Sequence, residues 1–314
     1  MTHCVLTKTW IEGLLHRIRL TASAWASGHG WWAKALYELV VFGAKQAWAC
    51  LFGALMLALM AGTHLFYPSD APLARYDFLV LAALSIQALL LATKMETWPE
   101  ARVILLYHVV GTVMEVFKTH VGSWQYPEPS VLRIGGVPLF SGFMYASVGS
   151  FIARSWRLLS LEFDGYPQRS HTLILALLIY ANFFTHHWIL DLRWVLFAAT
   201  AGLFLRTRVH FRVADTRRSM PLLLSFGLIA LFIWMAENVG TWSRAWRYPS
   251  QMAQWHVVGF GKLGSWYLLM IISFVLVTWV HPPRSRAEMR RRERVRELVK
   301  ACGEVGAVSG RMPE

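Results

Sequence analysis

The chain has 314 residues, of which 56% are hydrophobic and 16% are charged, and its mean hydropathy is +0.41. Ordinary soluble domains carry about 25% charged residues, so this composition excludes most soluble folds and predicts a protein with several membrane segments. The high hydrophobicity also excludes an intrinsically disordered chain. Three widely spaced cysteines exclude a disulfide-stabilised scaffold.

Eight apolar segments are candidates for membrane helices, since a bilayer core requires roughly 17–25 apolar residues per helix. In chain order the predicted spans are 47–66, 78–94, 101–117, 134–153, 171–190, 192–206, 220–239 and 257–280. Several of the intervening segments carry proline, glycine or charge, which favour turns. We therefore predict an all-α fold, a polytopic membrane bundle of about eight transmembrane helices.

The net charge of +13 agrees with this topology. With eight spans, 24 of the Lys and Arg residues lie on the side that holds both termini, and 7 lie on the other side. Cytoplasmic segments of membrane proteins are enriched in Lys and Arg, so we predict a bacterial inner-membrane protein with both termini in the cytoplasm. The basic charge therefore marks topology, and nucleic-acid binding is not predicted.

The chain divides into five predicted segments: a cytoplasmic N-terminal segment 1–46, a four-helix unit 47–156, a linker 157–170, a second four-helix unit 171–281 and a basic tail 282–314. Residues 5–25 predict an amphipathic surface helix and lack the pattern of a signal peptide. The arginine cluster of the tail should attract anionic inner-leaflet lipid. Membrane lipids are the expected partners, and assembly into a homo-oligomer stays open.

The two four-helix units resemble each other. A shift of 122 residues superposes Glu115 on Glu237, Thr119 on Thr241, Trp124 on Trp246, Tyr126 on Tyr248, Pro127 on Pro249, Gly142 on Gly264 and Tyr145 on Tyr267. The same shift places His64 on His186. Because each unit has an even number of spans, the two repeats should share one orientation, with a symmetry axis along the membrane normal.

The repeated polar residues are the candidate site, since they all fall near the outer ends of their spans. The candidates for acid–base catalysis are Glu115, Glu237, His64 and His186. The candidates for lining a substrate site are Trp124, Tyr126, Trp246, Tyr248, Tyr145 and Tyr267. The alternative is structural: the glutamates would bind backbone or Lys118, and the aromatic residues would belong to the interfacial belt. No metal site is predicted, because no metal-ligand spacing is present.

Three classes of function compete. The first is a membrane enzyme that uses acid–base chemistry on an apolar isoprenoid or lipid substrate. The second is a carrier or channel for a small solute, and the third is a non-catalytic membrane scaffold. The sequence contains no P-loop, dinucleotide-binding or zinc-protease motif, so it does not indicate a cofactor.

Two long segments, 98–150 and 236–277, carry a family resemblance that plausibly extends over residues 36–282. They begin WPEARVILLYHVVGTVMEVFKTH and AENVGTWSRAWRYPSQMAQWH, and they resemble the bacterial YoaT-like family of multi-pass membrane proteins of unknown function. That resemblance implies an integral membrane protein. The family has no established activity that the resemblance could carry over to this chain. A fainter similarity is to membrane carotenoid-synthesis proteins and could carry over only Glu115, Glu237 and the neighbouring aromatic residues. The paired-glutamate motif of the cyclases among them is missing here.

Overall fold

The computed structural model describes residues 21–214, 216–280 and 282–283, which are mostly helical. After a helical stretch at residues 21–28, nine α-helices follow in the described part of the chain. They are α1 (Gly30–Ala49), α2 (Leu51–Phe66), α3 (Arg75–Ala92), α4 (Trp98–His120), α5 (Phe140–Leu158), α6 (Arg169–Thr185), α7 (Arg193–Phe204), α8 (Leu222–Trp242) and α9 (Gly261–Val280). A short 3-10 helix, Pro249–Gln251, lies between α8 and α9.

Each of the eight predicted apolar segments overlaps one of the helices α2 to α9, with ends that agree within six residues. Among the described residues, three helices are long and apolar enough to cross a membrane: α3, α8 and α9. A fourth would be the pair α1 and α2, which meet at a 65° bend, if the pair forms one span. The helix α7 has 12 residues, which reach about 18 Å at 1.5 Å per residue and fall short of a bilayer core. Crossing by all eight helices therefore stays a prediction.

Among the described residues five short strands lie between the helices, so the fold is mostly helical rather than all-α. The strands β1 (Arg133–Ile134) and β2 (Val137–Pro138) form a hairpin before α5. The strands β3 (Glu162–Asp164), β4 (Arg208–Val213) and β5 (Thr216–Pro221) form an antiparallel sheet in that order. In this sheet Phe163 is opposite Val209, and Val209 is opposite Met220. The β1–β2 hairpin covers the first residues of the predicted span 134–153, so α5 begins six residues later than predicted, whereas β3, β4 and all but the last two residues of β5 lie between predicted spans. In β4 the apolar residues Val209, Phe211 and Val213 alternate with polar ones, which allows strand pairing.

The central helix of the bundle is α9, which packs against α4, α5, α6 and α8. The main hydrophobic core lies around it, with Ile271, Val275 and Val277 of α9 almost fully buried. The most extensive helix pair is α4 with α5. Glycines allow this close approach: a Cβ at Gly111 of α4 would lie 2.7 Å from Cβ and Cγ of Tyr145.

The helix α1 covers the C-terminal part of the predicted N-terminal segment 1–46 and packs on α5 and on β4. Glu38 accepts hydrogen bonds from Arg218, at 2.5 Å, and from Thr216, at 2.7 Å. The Lys45 ammonium donates to the backbone oxygen of Arg212 at 2.9 Å. These bonds attach α1 to the β4–β5 hairpin. Most of the predicted amphipathic helix 5–25 and the arginine cluster of the tail lie outside the described residues.

Candidate functional site

The carboxylate of Glu115 lies buried near the C-terminal end of α4 and accepts three hydrogen bonds. The Trp124 indole N–H and the Tyr126 hydroxyl both donate to Oε2, at 2.7 Å and 2.6 Å. The Tyr145 hydroxyl of α5 donates to Oε1 at 2.7 Å. The reverse turn after α4 brings Trp124 and Tyr126 back onto the helix, so one carboxylate joins α4, α5 and the following loop.

The carboxylate of Glu237 occupies the corresponding place in α8. It is also buried and accepts hydrogen bonds from the Tyr248 hydroxyl at Oε1 and from the Trp266 indole at Oε2. The indole bond is 2.7 Å long. Glu115, Glu237 and these five aromatic donors are called the glutamate centre below.

The two halves of the glutamate centre contact each other. The rings of Trp124 and Tyr248 meet edge to face with centroids 6.1 Å apart, and the rings of Tyr145 and Trp266 have centroids 6.5 Å apart. Beside them, Gln125 and Arg247 exchange two antiparallel backbone hydrogen bonds of 2.9 Å. The loops after α4 and α8 are thus paired directly, and the glutamate centre is one connected cluster.

The loop tyrosines of the glutamate centre stay protonated at ordinary pH. Burial, followed by the charge of Glu115, raises the pKa of Tyr126 well above its usual value. Burial and then Glu237 raise the pKa of Tyr248 in the same way. Both hydroxyls therefore remain hydrogen-bond donors to the carboxylates.

An apolar cavity of about 30 Å³ lies next to the glutamate centre. Its lining includes Met114 of α4, Tyr145 of α5, Tyr180 of α6, Ile233 of α8 and Trp266 of α9. The cavity is partly open to the surface of the bundle, where Tyr180, Ile233 and Trp266 are only partly buried, and it is called the crevice below. The side chains of Tyr145 and Trp266 thus contact both the crevice and the two carboxylates.

Two lysines lie near ends of helices that line this crevice, Lys118 at the C-terminal end of α4 and Lys262 at the N-terminal end of α9. The Lys118 ammonium lies 3.0 Å from His187 Nε2 and 4.0 Å from the centroid of the Phe183 ring. The Lys262 ammonium lies 4.3 Å from the centroid of the Tyr248 ring. Glu115 does not bind Lys118, contrary to the structural alternative considered from the sequence; its partners are the aromatic donors.

Four of the predicted site residues lie outside the glutamate centre. His64 packs against Trp242, and the tilted rings of His186 and His187 have centroids 4.1 Å apart. Tyr267 points away, toward Phe197 of α7. The Trp246 ring is buried against Gly240. Neither histidine has a hydrogen bond to a glutamate among the described residues, and there no group of three His, Cys, Asp or Glu side chains could hold a metal ion.

Sequence reasoning missed Trp266 as a partner of Glu237, because the shift of 122 residues pairs Tyr145 with Tyr267 instead. A shift of 121 would have found it. The sequence also gave no sign of a second polar cluster, at the opposite end of α4, where Arg154 forms a fully buried ion pair with Glu96 at 3.2 Å. Ser150 and Gln87 also donate hydrogen bonds to this carboxylate.

Comparison with known proteins gives a family and no activity. Residues 38–274 match the family model described as protein of unknown function (DUF817). The chain is 44% identical over 244 residues to the uncharacterized protein YoaT of Bacillus subtilis (strain 168), which covers 78% of this chain and 92% of that protein. No solved structure matches the chain.

Proposed function

This chain belongs to DUF817, a family of proteins of unknown function, so its activity has to be inferred from the geometry of the site. We propose that it is a membrane enzyme that performs acid–base chemistry on an apolar isoprenoid or lipid chain. One observation carries the proposal. Tyr145 and Trp266 line the apolar crevice and also hydrogen-bond to the two buried glutamates. An apolar chain in the crevice would therefore lie beside groups that hold and exchange protons.

Tyr145 is the group through which a proton would reach the substrate. To deliver a proton, the Tyr145 hydroxyl would turn from Glu115 to the substrate and give up its own proton, and protonated Glu115 would then return a proton to the phenolate oxygen along the same hydrogen bond. In the proposed reaction Glu115 and Glu237 store the proton, and the aromatic faces of Tyr145 and Trp266 contact the substrate and stabilise positive charge that develops on it. His64 and His186, which the sequence indicates as candidates for acid–base catalysis, are not assigned a role in this reaction.

The second candidate is a non-catalytic scaffold, which one observation favours. All four carboxylate oxygens of Glu115 and Glu237 have a hydrogen-bond donor, so the glutamate centre is also a stable link between the two halves. A carrier of small solutes has less support, because the crevice is lined mainly by apolar and aromatic side chains.

We propose that the protein crosses the bacterial inner membrane eight times, with both termini in the cytoplasm. The agreement of eight helices with eight apolar segments supports this, as does the excess of Lys and Arg on one side. Accessibility of single cysteines tests it. Cysteines at Asp70 and Ser250 should react with an impermeant reagent from outside, and one at the exposed Gln168 should react only after the membrane is opened.

We propose further that the eight helices form two parallel repeats. Three observations support this. Gln125 and Arg247, which are 122 residues apart, pair with each other as a two-fold axis requires. Tyr126 with Glu115 and Tyr248 with Glu237 form the same bond at the same offset. In each unit the first helix packs on the second and fourth, and the third packs on the fourth.

The proposed partners are membrane lipids, including anionic inner-leaflet lipid at the basic tail. Assembly into a homo-oligomer is compatible with the many exposed apolar side chains on the helices, which lipid would cover equally well.

The test is mass spectrometry of lipids that co-purify with the full chain and with Glu115→Gln and Glu237→Gln, singly and together. The matched control is Asp70→Asn, which changes an exposed carboxylate before α3. We expect a specific apolar compound in wild type and control whose amount or chemical form changes in the glutamate variants. The same lipids in the same amounts in all proteins would refute the enzyme and favour the scaffold.

A further inference from the structure

The helix α1 has an exposed face that is entirely apolar. Successive residues of a helix point about 100° apart, and this spacing places one stripe of residues along four turns of α1. The apolar stripe consists of Trp32, Ala35, Leu36, Leu39, Val40, Gly43 and Ala47, all of which are exposed. Leu39 and Val40 are 66% and 60% exposed. A contiguous apolar surface of this kind is unfavourable in water, so it marks a contact with an apolar partner.

A different side of α1 is held by the β3–β4–β5 sheet. Glu38 and Lys45 both hydrogen-bond to the β4–β5 hairpin. Between them Phe42 packs on Phe211 of β4, with ring centroids 5.7 Å apart. Glu38 and Lys45 are seven residues apart, which is about 10 Å along the helix axis. The helix is therefore fixed to the sheet over two turns, and the side that is fixed is not the apolar stripe.

The sheet that holds α1 belongs outside the hydrocarbon core of a membrane. Within the described residues β5 is an edge strand, and its unpaired backbone groups would have no hydrogen-bond partner in hydrocarbon. Side chains of a strand alternate between the two faces, so Arg208, Arg212 and Arg217 share the face of the sheet away from α1, where all three are exposed. Exposed arginines in hydrocarbon are costly, so the segment of α1 that is bound to the sheet also lies outside the core.

We propose that α1 lies in the plane of the inner-leaflet interface, with its apolar stripe against the acyl chains of phospholipids. Helices of this kind bury their apolar face about 5–10 Å into the boundary between head groups and acyl chains. Trp31 and Trp32 at one end of α1 and Trp48 at the other are exposed, and tryptophan favours this depth. The arginines of the sheet fit the negative surface of the inner leaflet.

The 65° bend between α1 and α2 then turns the chain from the membrane surface into the first span. The two helices are accordingly not one straight crossing. This inference rests on the membrane placement proposed above, and it adds a lipid-binding surface that lies apart from the glutamate centre and from the basic tail.

The experiment measures the depth of nitroxide spin labels by electron paramagnetic resonance, with the full chain in vesicles of phosphatidylethanolamine and phosphatidylglycerol. The three native cysteines are replaced by alanine, and single labels are attached at Ala35→Cys, Leu39→Cys, Gly43→Cys and Ala47→Cys. These positions follow the apolar stripe over about 18 Å, and a Cβ at Gly43 meets no atom within 4 Å. Collisions with oxygen, which dissolves in acyl chains, and with a water-soluble nickel chelate report the depth.

Two control labels calibrate the measurement. Phe232→Cys is 67% exposed in the middle of α8 and should lie deep in the acyl chains, whereas Asp70→Cys is exposed before α3 and should lie in water. The four α1 labels should be shallow and differ in depth by about 8 Å or less, which is the rise that a 65° bend gives over this length when α2 is upright.

Each other outcome overturns the inference. A depth that changes steadily by about 15 Å or more from Ala35 to Ala47 would show that α1 crosses the membrane. Nickel collisions as frequent as at Asp70 would place the apolar stripe in water. Few collisions with either reagent, together with spin–spin broadening, would show that a second copy of the chain covers it. A water-exposed label at Phe232 in a folded protein would refute the membrane placement as well, which distinguishes the two failures.

Discussion

The two tyrosine hydroxyls on Glu115 should differ in their contribution to stability, although the carboxylate is the same. Tyr145 is the donor to Oε1, whereas Oε2 receives both Tyr126 and Trp124. Tyr145→Phe therefore leaves a buried carboxyl oxygen without a partner and should lower the free energy of unfolding by about 2–3 kcal/mol. Tyr126→Phe leaves the indole bond in place and should lower it by about 1 kcal/mol.

The assay is reversible unfolding in mixed detergent micelles, followed by circular dichroism. Tyr67→Phe is the control, because its hydroxyl bonds to the backbone of Leu73 at an exposed site and should change stability by at most about 0.5 kcal/mol. Equal losses at Tyr145 and Tyr126, or a larger loss at Tyr126, would refute the arrangement of donors around Glu115.

Three further changes test other parts of the structure with the same assay. Gly111→Ala should lower stability by about 1–3 kcal/mol, since its Cβ would overlap the tyrosine ring on α5, whereas Gly62→Ala, which meets no atom within 4 Å, should not lower it. Glu96→Gln should lower it by about 3–5 kcal/mol by leaving Arg154 buried and unpaired, and adding Arg154→Met should restore part of this; strictly additive losses would contradict the buried pair. Between pH 9 and pH 11 wild-type stability should fall, because the unfolded chain releases protons above about pH 10 while Tyr126, whose pKa is raised mainly by burial, keeps its proton. Tyr126→Phe should make this fall less steep, and an unchanged slope would show that the residue titrates normally.

Much of the helical framework could be predicted from the sequence, because long apolar runs bounded by charge and proline form helices whatever their neighbours. The predicted segments and the helices α2 to α9 agree within a few residues at each end. The β4–β5 hairpin could not be predicted in this way, since its strands are rich in arginine and are stabilised by distant residues such as Glu38 of α1.

The candidate site was predictable in part. The repeated pattern identified Glu115 and Glu237 and most of their aromatic donors, because the two halves use the same residues in the same order. It also included His64 and His186, which share the offset but lie apart from the glutamates. Repetition thus identified related positions without showing which of them meet.

The local sequence determined where each helix forms, because apolar content and turn residues act within a few residues along the chain. Only the tertiary structure decided which face of each helix meets the others. Neighbouring residues on a helix point about 100° apart, so Trp266 reaches Glu237 while Tyr267 faces α7. That choice depends on the rotation of α9 within the bundle. The rotation is set by packing against four other helices at once, and no short segment of sequence contains this information.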